Sequence, residues 1–192
     1  MKFIYHYLFQ MTWIMWAGYW WSASKYNSKH IYRESKSSRL LHIIPLGIAF
    51  LLLILPNNTI QWLDFQISPS NEREICFWFG IILTIFGLGF TVWARQYLGK
   101  NWSGIVTIKE EHKLITKGPY QIVRNPMYSG LLLAFIGTAI ARGNMQALIA
   151  ICIVIVTLLR KIKIEEHVLL SQFGEVFLRY KTQTKALIPL IY

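Results

Sequence analysis

The sequence predicts an all-α fold, a polytopic membrane helix bundle of about five transmembrane helices with a C-terminal amphipathic helix, in a single domain of 192 residues. Three observations predict it. Hydrophobic residues make up 54% of the chain, charged residues only 15%, and the mean hydropathy is +0.38, more apolar than soluble domains usually are. The apolar residues gather in runs long enough to cross a bilayer as helices. The formal charge of +11, from 20 Lys and Arg against 9 Asp and Glu, lies mostly outside those runs, which suits anionic headgroups and asks for no nucleic acid.

The runs fall at about residues 3–23, 40–56, 75–97, 127–141 and 145–164. The first follows a single Lys2, and no small-x-small cleavage signal follows it, so it is expected to be a retained anchor. Trp13, Trp16 and Trp20 fall at helical spacing in it and read as a lipid-facing aromatic stripe, with Trp20-Trp21 as an interfacial belt. The second and third runs read most directly as membrane helices. Residues 57–74 are expected to form an outer loop with a short interfacial piece.

The fourth run, residues 127–141, would reach only about 22 Å as a helix against roughly 30 Å of hydrocarbon, so it is expected to lean on neighbours. Gly143-Asn144 is the turn into the fifth run, which lengthens to Ile164 if Arg160, Lys161 and Lys163 snorkel. Residues 165–180 place Val168, Leu169, Phe173, Val176, Phe177 and Tyr180 at three- and four-residue steps, the pattern of an amphipathic helix lying against membrane or protein. Cys76 and Cys152 lie inside apolar runs, outside any metal or CxxC spacing, and read as small buried hydrophobes.

Basic residues follow the first, third and fifth runs, whereas the other side holds Lys2, Arg73 and Arg142. The positive-inside rule therefore predicts an N-terminus outside and a C-terminus in the cytoplasm. Segments 98–126 and 160–192 then share the cytoplasmic face.

The segment from His112 to Gly130 carries the most chemical character. Gly118-Pro119 breaks regular structure. Asn125 is a good N-cap residue and Pro126 is pre-set for a first helical position, so the fourth helix is expected to start there. A helix start leaves backbone N–H groups that can hold a carboxylate or the polar edge of a cofactor, although from spacing alone an ordinary capped helix is the simpler reading. Glu165-Glu166 follow the fifth run, where a bare carboxylate is costly unless it meets water, a cation or hydroxyl donors. Neighbouring helical residues diverge by about 100°, so one glutamate can face a pocket while the other meets headgroups or a basic partner such as Arg124. His112 by itself reads as an interfacial histidine. Metal-ligand spacings, a Walker loop and a GxGxxG after a strand are all missing from the sequence, so no metal is expected.

Taken in order, His112, Leu114, Gly118-Pro119-Tyr120, Arg124-Asn125-Pro126-Met127-Tyr128, Glu165-Glu166, Phe173-Gly174 and Phe177-x-x-Tyr180 resemble the pattern of the isoprenylcysteine carboxyl methyltransferase-like family of integral membrane methyltransferases. The resemblance covers roughly the C-terminal half. With the apolar runs making residues 1–97 three N-terminal membrane helices, the resemblance implies that residues 98–192 are a cofactor-binding half. It also implies that S-adenosyl-L-methionine is enclosed by His112, Lys113, Leu114, Ile115, Tyr120, Asn125, Pro126, Met127, Tyr128 and Glu165, with Gly118, Arg124 and Glu166 counted among the same motif residues. Glu165 would take the hydroxyls or amine of the cofactor. Lys161 stands where family members that methylate a carboxylate carry an arginine for the acceptor; it can pair with an anion but lacks the bidentate fork, and Arg160 could partly supply one. Asn125 replaces the histidine of an Arg-His-Pro element, and Phe177 replaces a tyrosine.

The expected function is methyl transfer to a lipid-like or small apolar acceptor, prenylcysteine carboxylate-like or related, at the cytoplasmic face and among membrane lipids. A membrane reductase of the sterol-reductase type using NADPH, and a non-catalytic membrane scaffold, are the competing readings.

Overall fold

The computed structural model describes residues 2–24 (side chains from Tyr7), 35–55, 63, 65–67, 72–99 and 114–191. Its elements are helices: α1 (Lys2–Ser24), α2 (Lys36–Ile54), α3 (Arg73–Leu98), a 3₁₀ turn (Gly118–Gln121), α4 (Pro126–Arg142), α5 (Met145–Phe173) and α6 (Glu175–Gln183). Two isolated bridges, Gln66 with Asn144 and Val123 with Lys185, are the β contacts among the described residues. The all-α expectation holds. Most of the predicted 57–74 loop, and all of residues 100–113, fall outside the described residues.

Local chemistry sets the helix ends. Ser35 caps α2, its hydroxyl accepting from the Ser38 N–H at 3.2 Å. At the other end Leu55 is extended (ψ 141°), as a residue ahead of a proline prefers. Carbonyls left over there accept from Arg142, whose Nη1 meets Leu53 O at 2.6 Å and Nη2 meets Leu55 O at 2.7 Å. Gly143 closes α4 in the left-handed region (φ 59°), and Asn144 caps α5 by accepting from the Ala147 N–H at 3.1 Å. The expected turn at Gly143-Asn144 is therefore present. Phe65 and Ile67 bond to it through Met145 N–H and Gly143 O.

Contacts along the helices fix their directions. Phe9 lies against Phe77, Trp16 bonds Thr91 and the Ala23 carbonyl accepts from Arg95, so α1 and α3 run the same way. Arg142 reaches the end of α2, and Arg160 reaches Ser38 at its start. Successive helices from α1 to α5 thus alternate in direction. One end of the bundle collects the last turns of α1 and α3, the first turns of α2 and α4, and the charged half of α5.

α3 and α4 touch backbone to backbone. A Cβ at Gly80 would lie 2.4 Å from Gly137 O, and one at Gly87 would lie 2.5 Å from Gly130 O. Each helix therefore carries two glycines seven residues apart, two turns on one face, and small residues at such a seam let membrane helices approach closely. The Thr84 hydroxyl donates to Gly80 O at 2.8 Å and to Ala134 O at 3.2 Å across the seam. This is how the short α4, 17 residues long, leans on a longer neighbour.

α1 corrects an expectation. Trp13 is buried at 6% exposure, packs on Phe50 and Phe135, and donates from Nε1 to Thr138 Oγ1 at 3.2 Å. Trp16 donates to Thr91 Oγ1 at 2.6 Å and stacks on Trp20 with centroids 4.8 Å apart. The stripe faces the bundle, because an indole N–H without a partner is costly in hydrocarbon. Those threonine hydroxyls already donate to Leu88 O and Ala134 O and keep lone pairs to accept the indoles.

Two further expectations change. No helix begins at residue 165: α5 continues to Phe173 because nothing before Gly174 (φ 49°) breaks it, and α6 follows. Phe177 and Tyr180 of α6 are buried, at 1% and 7% exposure, while Val176 is exposed, so this part of the apolar face meets protein, one of the two surfaces its pattern allowed. Cys152 is exposed on α5 and Cys76 half-buried, so neither is the buried hydrophobe expected.

α2 and α3 are long and apolar enough to cross a membrane, and α4 is a shorter apolar helix. Leu41 and Ile44 on α2, and Ile82 and Phe86 on α3, turn more than half of their surface outward. Outward-facing apolar helices of this kind need lipid as solvent, and the chain is a membrane protein.

Candidate functional site

The polar residues singled out by sequence collect at one end of the bundle. His112 and Lys113 lie outside the described residues. Leu114 and Ile115 are half-buried and lead into Gly118. Gly118 has φ 61°, and the Tyr97 ring of α3 sits 2.4 Å from where its Cβ would be, so the turn needs glycine both for its backbone and for its space. Gly118 opens the 3₁₀ turn, and Pro119 and Tyr120 follow in it.

Tyr120 is buried at 7% exposure, and its hydroxyl has no hydrogen-bond partner among the described residues. Its carbonyl accepts from the Tyr180 hydroxyl at 2.5 Å. Burial, with smaller contributions from Glu165 and Tyr180 and against the pull of Arg95, holds the Tyr120 phenol well above its ordinary range. Burial does the same for Tyr180, opposed by Arg124 and assisted by Glu166. Both phenols are neutral donors at physiological pH. An orphaned buried hydroxyl is costly and suits a site that receives a polar ligand.

Glu165 and Glu166 take different partners. Glu165 Oε1 accepts from the Tyr128 hydroxyl at 2.5 Å, linking α5 to the first turn of α4. Lys161, one turn earlier on α5, places Nζ 5.4 Å from the centroid of the Tyr128 ring, within cation–π range. Glu166 instead meets Arg124, with Nη2 at 2.8 Å and Nε at 2.9 Å, and Lys181 at 3.1 Å. Arg124 Nη1 also donates to the carbonyls of Lys181 and Thr184. Arg124 and Glu166 thus bind α5, α6 and the start of α4 together.

Asn125 stands at the N-cap position, and Pro126 follows as the first helical residue. The Asn125 side chain makes no cap bond, which corrects the capping expectation: Nδ2 donates to Ala186 O at 3.0 Å. Met127 is half-buried beside Tyr128. Pro126 has no N–H, and the N–H groups of Tyr128 and Ser129 both close on Asn125 O, so this helix start is largely self-satisfied. Arg160 turns away to α2, donating to Ser38 Oγ at 2.9 Å and Ser38 O at 3.3 Å.

The structure therefore brings together Tyr120, Tyr128, Lys161 and Glu165, with Arg124, Asn125 and Glu166 as their scaffold, and sets Arg160 apart. Sequence reading missed Ser129, Lys181 and residues 184–187 as parts of this end. Tyr180 carried a signal in its four-residue step from Val176; the backbone carbonyls of 184–187 carried none. Among the described residues no group of three or more His, Cys, Asp or Glu could hold a metal.

A helical membrane protein with a tyrosine-carboxylate-lysine cluster at one end of its bundle is the class that fold and site define. Residues 75–176 match the family model of phospholipid methyltransferases, and the chain belongs to that family. It is similar to protein-S-isoprenylcysteine O-methyltransferase B of Arabidopsis thaliana, 32% identical over 116 residues, 59% of each chain. It is also similar to the protein-S-isoprenylcysteine O-methyltransferases of Dictyostelium discoideum, 26% identical over 184 residues (94% of this chain, 74% of the relative), and of Saccharomyces cerevisiae, 28% over 178 (88% and 72%). The match to the Arabidopsis protein spans about three fifths of that relative's length.

Proposed function

We propose that the chain is a methyltransferase that moves a methyl group from S-adenosylmethionine to an apolar acceptor of the prenylcysteine carboxylate type, at the cytoplasmic face of a membrane. The observation that carries this reading is the Tyr128–Glu165 hydrogen bond, with Lys161 over the same ring and the orphaned Tyr120 hydroxyl close by. The named relatives are O-methyltransferases, which favours methyl transfer over reduction with NADPH or a scaffold role. Family membership admits a phospholipid headgroup as a second acceptor class.

The residues fit the donor. A carboxylate accepts several hydrogen bonds at once, so Glu165, steadied by Tyr128, suits the hydroxyls or ammonium of S-adenosylmethionine, and Tyr120 supplies a neutral donor. Leu114, Ile115 and Met127 offer half-buried apolar walls. When bound, this donor supplies a sulfonium methyl already activated for in-line displacement. The protein's task is then to align and desolvate the acceptor. Lys161 can pair with an acceptor carboxylate, which is ionised at neutral pH and needs no general base. Arg160 is held by Ser38, which favours Lys161 for that role.

In this reading α1 to α5 all cross the bilayer, the N-terminus lies outside, and the site end, with Arg39, Arg95, Arg124, Arg160 and Lys163, faces the cytoplasm. Membranes holding the protein, incubated with methyl-labelled S-adenosylmethionine, are expected to yield a labelled apolar carboxyl methyl ester. Label in a phosphatidylethanolamine headgroup would reassign the acceptor. Titration of purified protein that shows binding of NADPH and none of S-adenosylmethionine would overturn the reading.

A further inference from the structure

Residues 184–187, which follow α6, lie across the start of α4 and meet it through backbone carbonyls. Lys185 O accepts from the Arg124 N–H at 2.7 Å, and Leu187 O accepts from the Ser129 hydroxyl at 2.5 Å. Between them Ala186 O accepts twice from one residue, from the Asn125 N–H and from Asn125 Nδ2, each at 3.0 Å. Asn125, Ala186 and Leu187 are all buried. The same Asn125 offers its carbonyl to the N–H groups of Tyr128 and Ser129, so it joins the helix turn bearing Tyr128 to the strap. A second link ties the strap's approach to Tyr120, through the Tyr180 hydroxyl.

We propose that Asn125 is a positioning residue: its side-chain amide pins the 184–187 strap across the start of α4 and thereby sets Tyr120 and Tyr128, and it does not itself contact the methyl donor. The effect on donor binding rests on the function proposed above; the pinning does not. What the position requires is a hydrogen-bond donor facing a carbonyl. Asparagine has one, and a histidine ring N–H is another, whereas an aspartate of nearly the same shape would set carboxylate oxygen against carbonyl oxygen. A direct contact with hydroxyls or an ammonium of the donor would tolerate aspartate.

The test uses the full chain purified in detergent, with three readouts: tryptic cleavage after Lys181 and Lys185, amide exchange at residues 124–125, and titration with S-adenosylmethionine. Asn125→Ala and Asn125→Asp are expected to speed cleavage and exchange and to weaken binding by about three- to tenfold, the loss of one buried hydrogen bond. Asn125→His is expected to restore all three. Ser129→Ala, which cuts the neighbouring bond to Leu187, should shift cleavage and binding the same way without altering residue 125. Native-like cleavage in Asn125→Asp overturns the proposal, whether its binding is retained or lost. If the native protein binds no S-adenosylmethionine, the proposed function fails, while the cleavage contrast among Asn, Asp and His still decides the role of Asn125.

Discussion

Glu165 and Glu166 are neighbours in the chain and face different ends of the chemistry, because successive positions on α5 point about 100° apart. Glu165 shares a hydrogen bond with Tyr128, and Glu166 an ion pair with Arg124. Replacing each separates the roles. Glu165→Ala is expected to abolish labelled methyl transfer while the protein stays monodisperse and helical in detergent; undiminished transfer would remove Glu165 from the site. Glu166→Ala leaves Arg124, at 8% side-chain exposure, without its carboxylate, and is expected to lower stability by about 3 kcal/mol, read as the midpoint of detergent-induced unfolding. Tyr120 adds a pH prediction. Its phenol stays protonated when folded but ionises near pH 10 when unfolded, so its contribution is complete below that pH and is lost as pH rises beyond it. Tyr120→Phe should therefore lose less stability than the native chain between pH 9 and 11, as followed by thermal unfolding.

At the scale of elements, the α3–α4 seam carries the site, since α4 delivers Tyr128 and α3 delivers the Tyr97 ring that backs Gly118. Side chains added at Gly80 or Gly87 would run into the α4 backbone. Gly87→Val is expected to cost about 3 kcal/mol or prevent accumulation, whereas Gly89→Val, where a Cβ meets nothing within 4 Å, should be tolerated. Comparison of the two proteins in membranes and in detergent checks this. Helix existence was legible at this scale from run lengths and from Pro126, Gly143 and Asn144. The direction of the Trp13 and Trp16 faces was not: a tryptophan stripe looks the same whether it meets lipid or two threonine hydroxyls, and only the packed α1 showed Thr138 and Thr91 opposite it.

At the scale of the whole molecule, the alternating helices bring every basic helix end described, apart from Lys2, Arg73 and Arg142, to the site end. With Cys76 and Cys152 replaced, Arg73→Cys is expected to react with a membrane-impermeant maleimide from outside intact cells, and Lys185→Cys only after permeabilisation; the reverse pattern would invert the orientation proposed above. The sequence by itself determined the helical class, the apolar runs, the break at Gly118-Pro119, the start of α4 and the family motif, because each rests on local composition or on spacing along one helix. Even the pairing of one glutamate with Arg124 was foreseeable from helical geometry. Only the tertiary structure decided which glutamate took which partner, that Arg160 turns to Ser38 while Lys161 reaches Tyr128, and that Asn125 holds a strap 61 residues further on. Those choices depend on backbone carbonyls and on the rotation of one helix against another, and neither is written in the identity of any single residue.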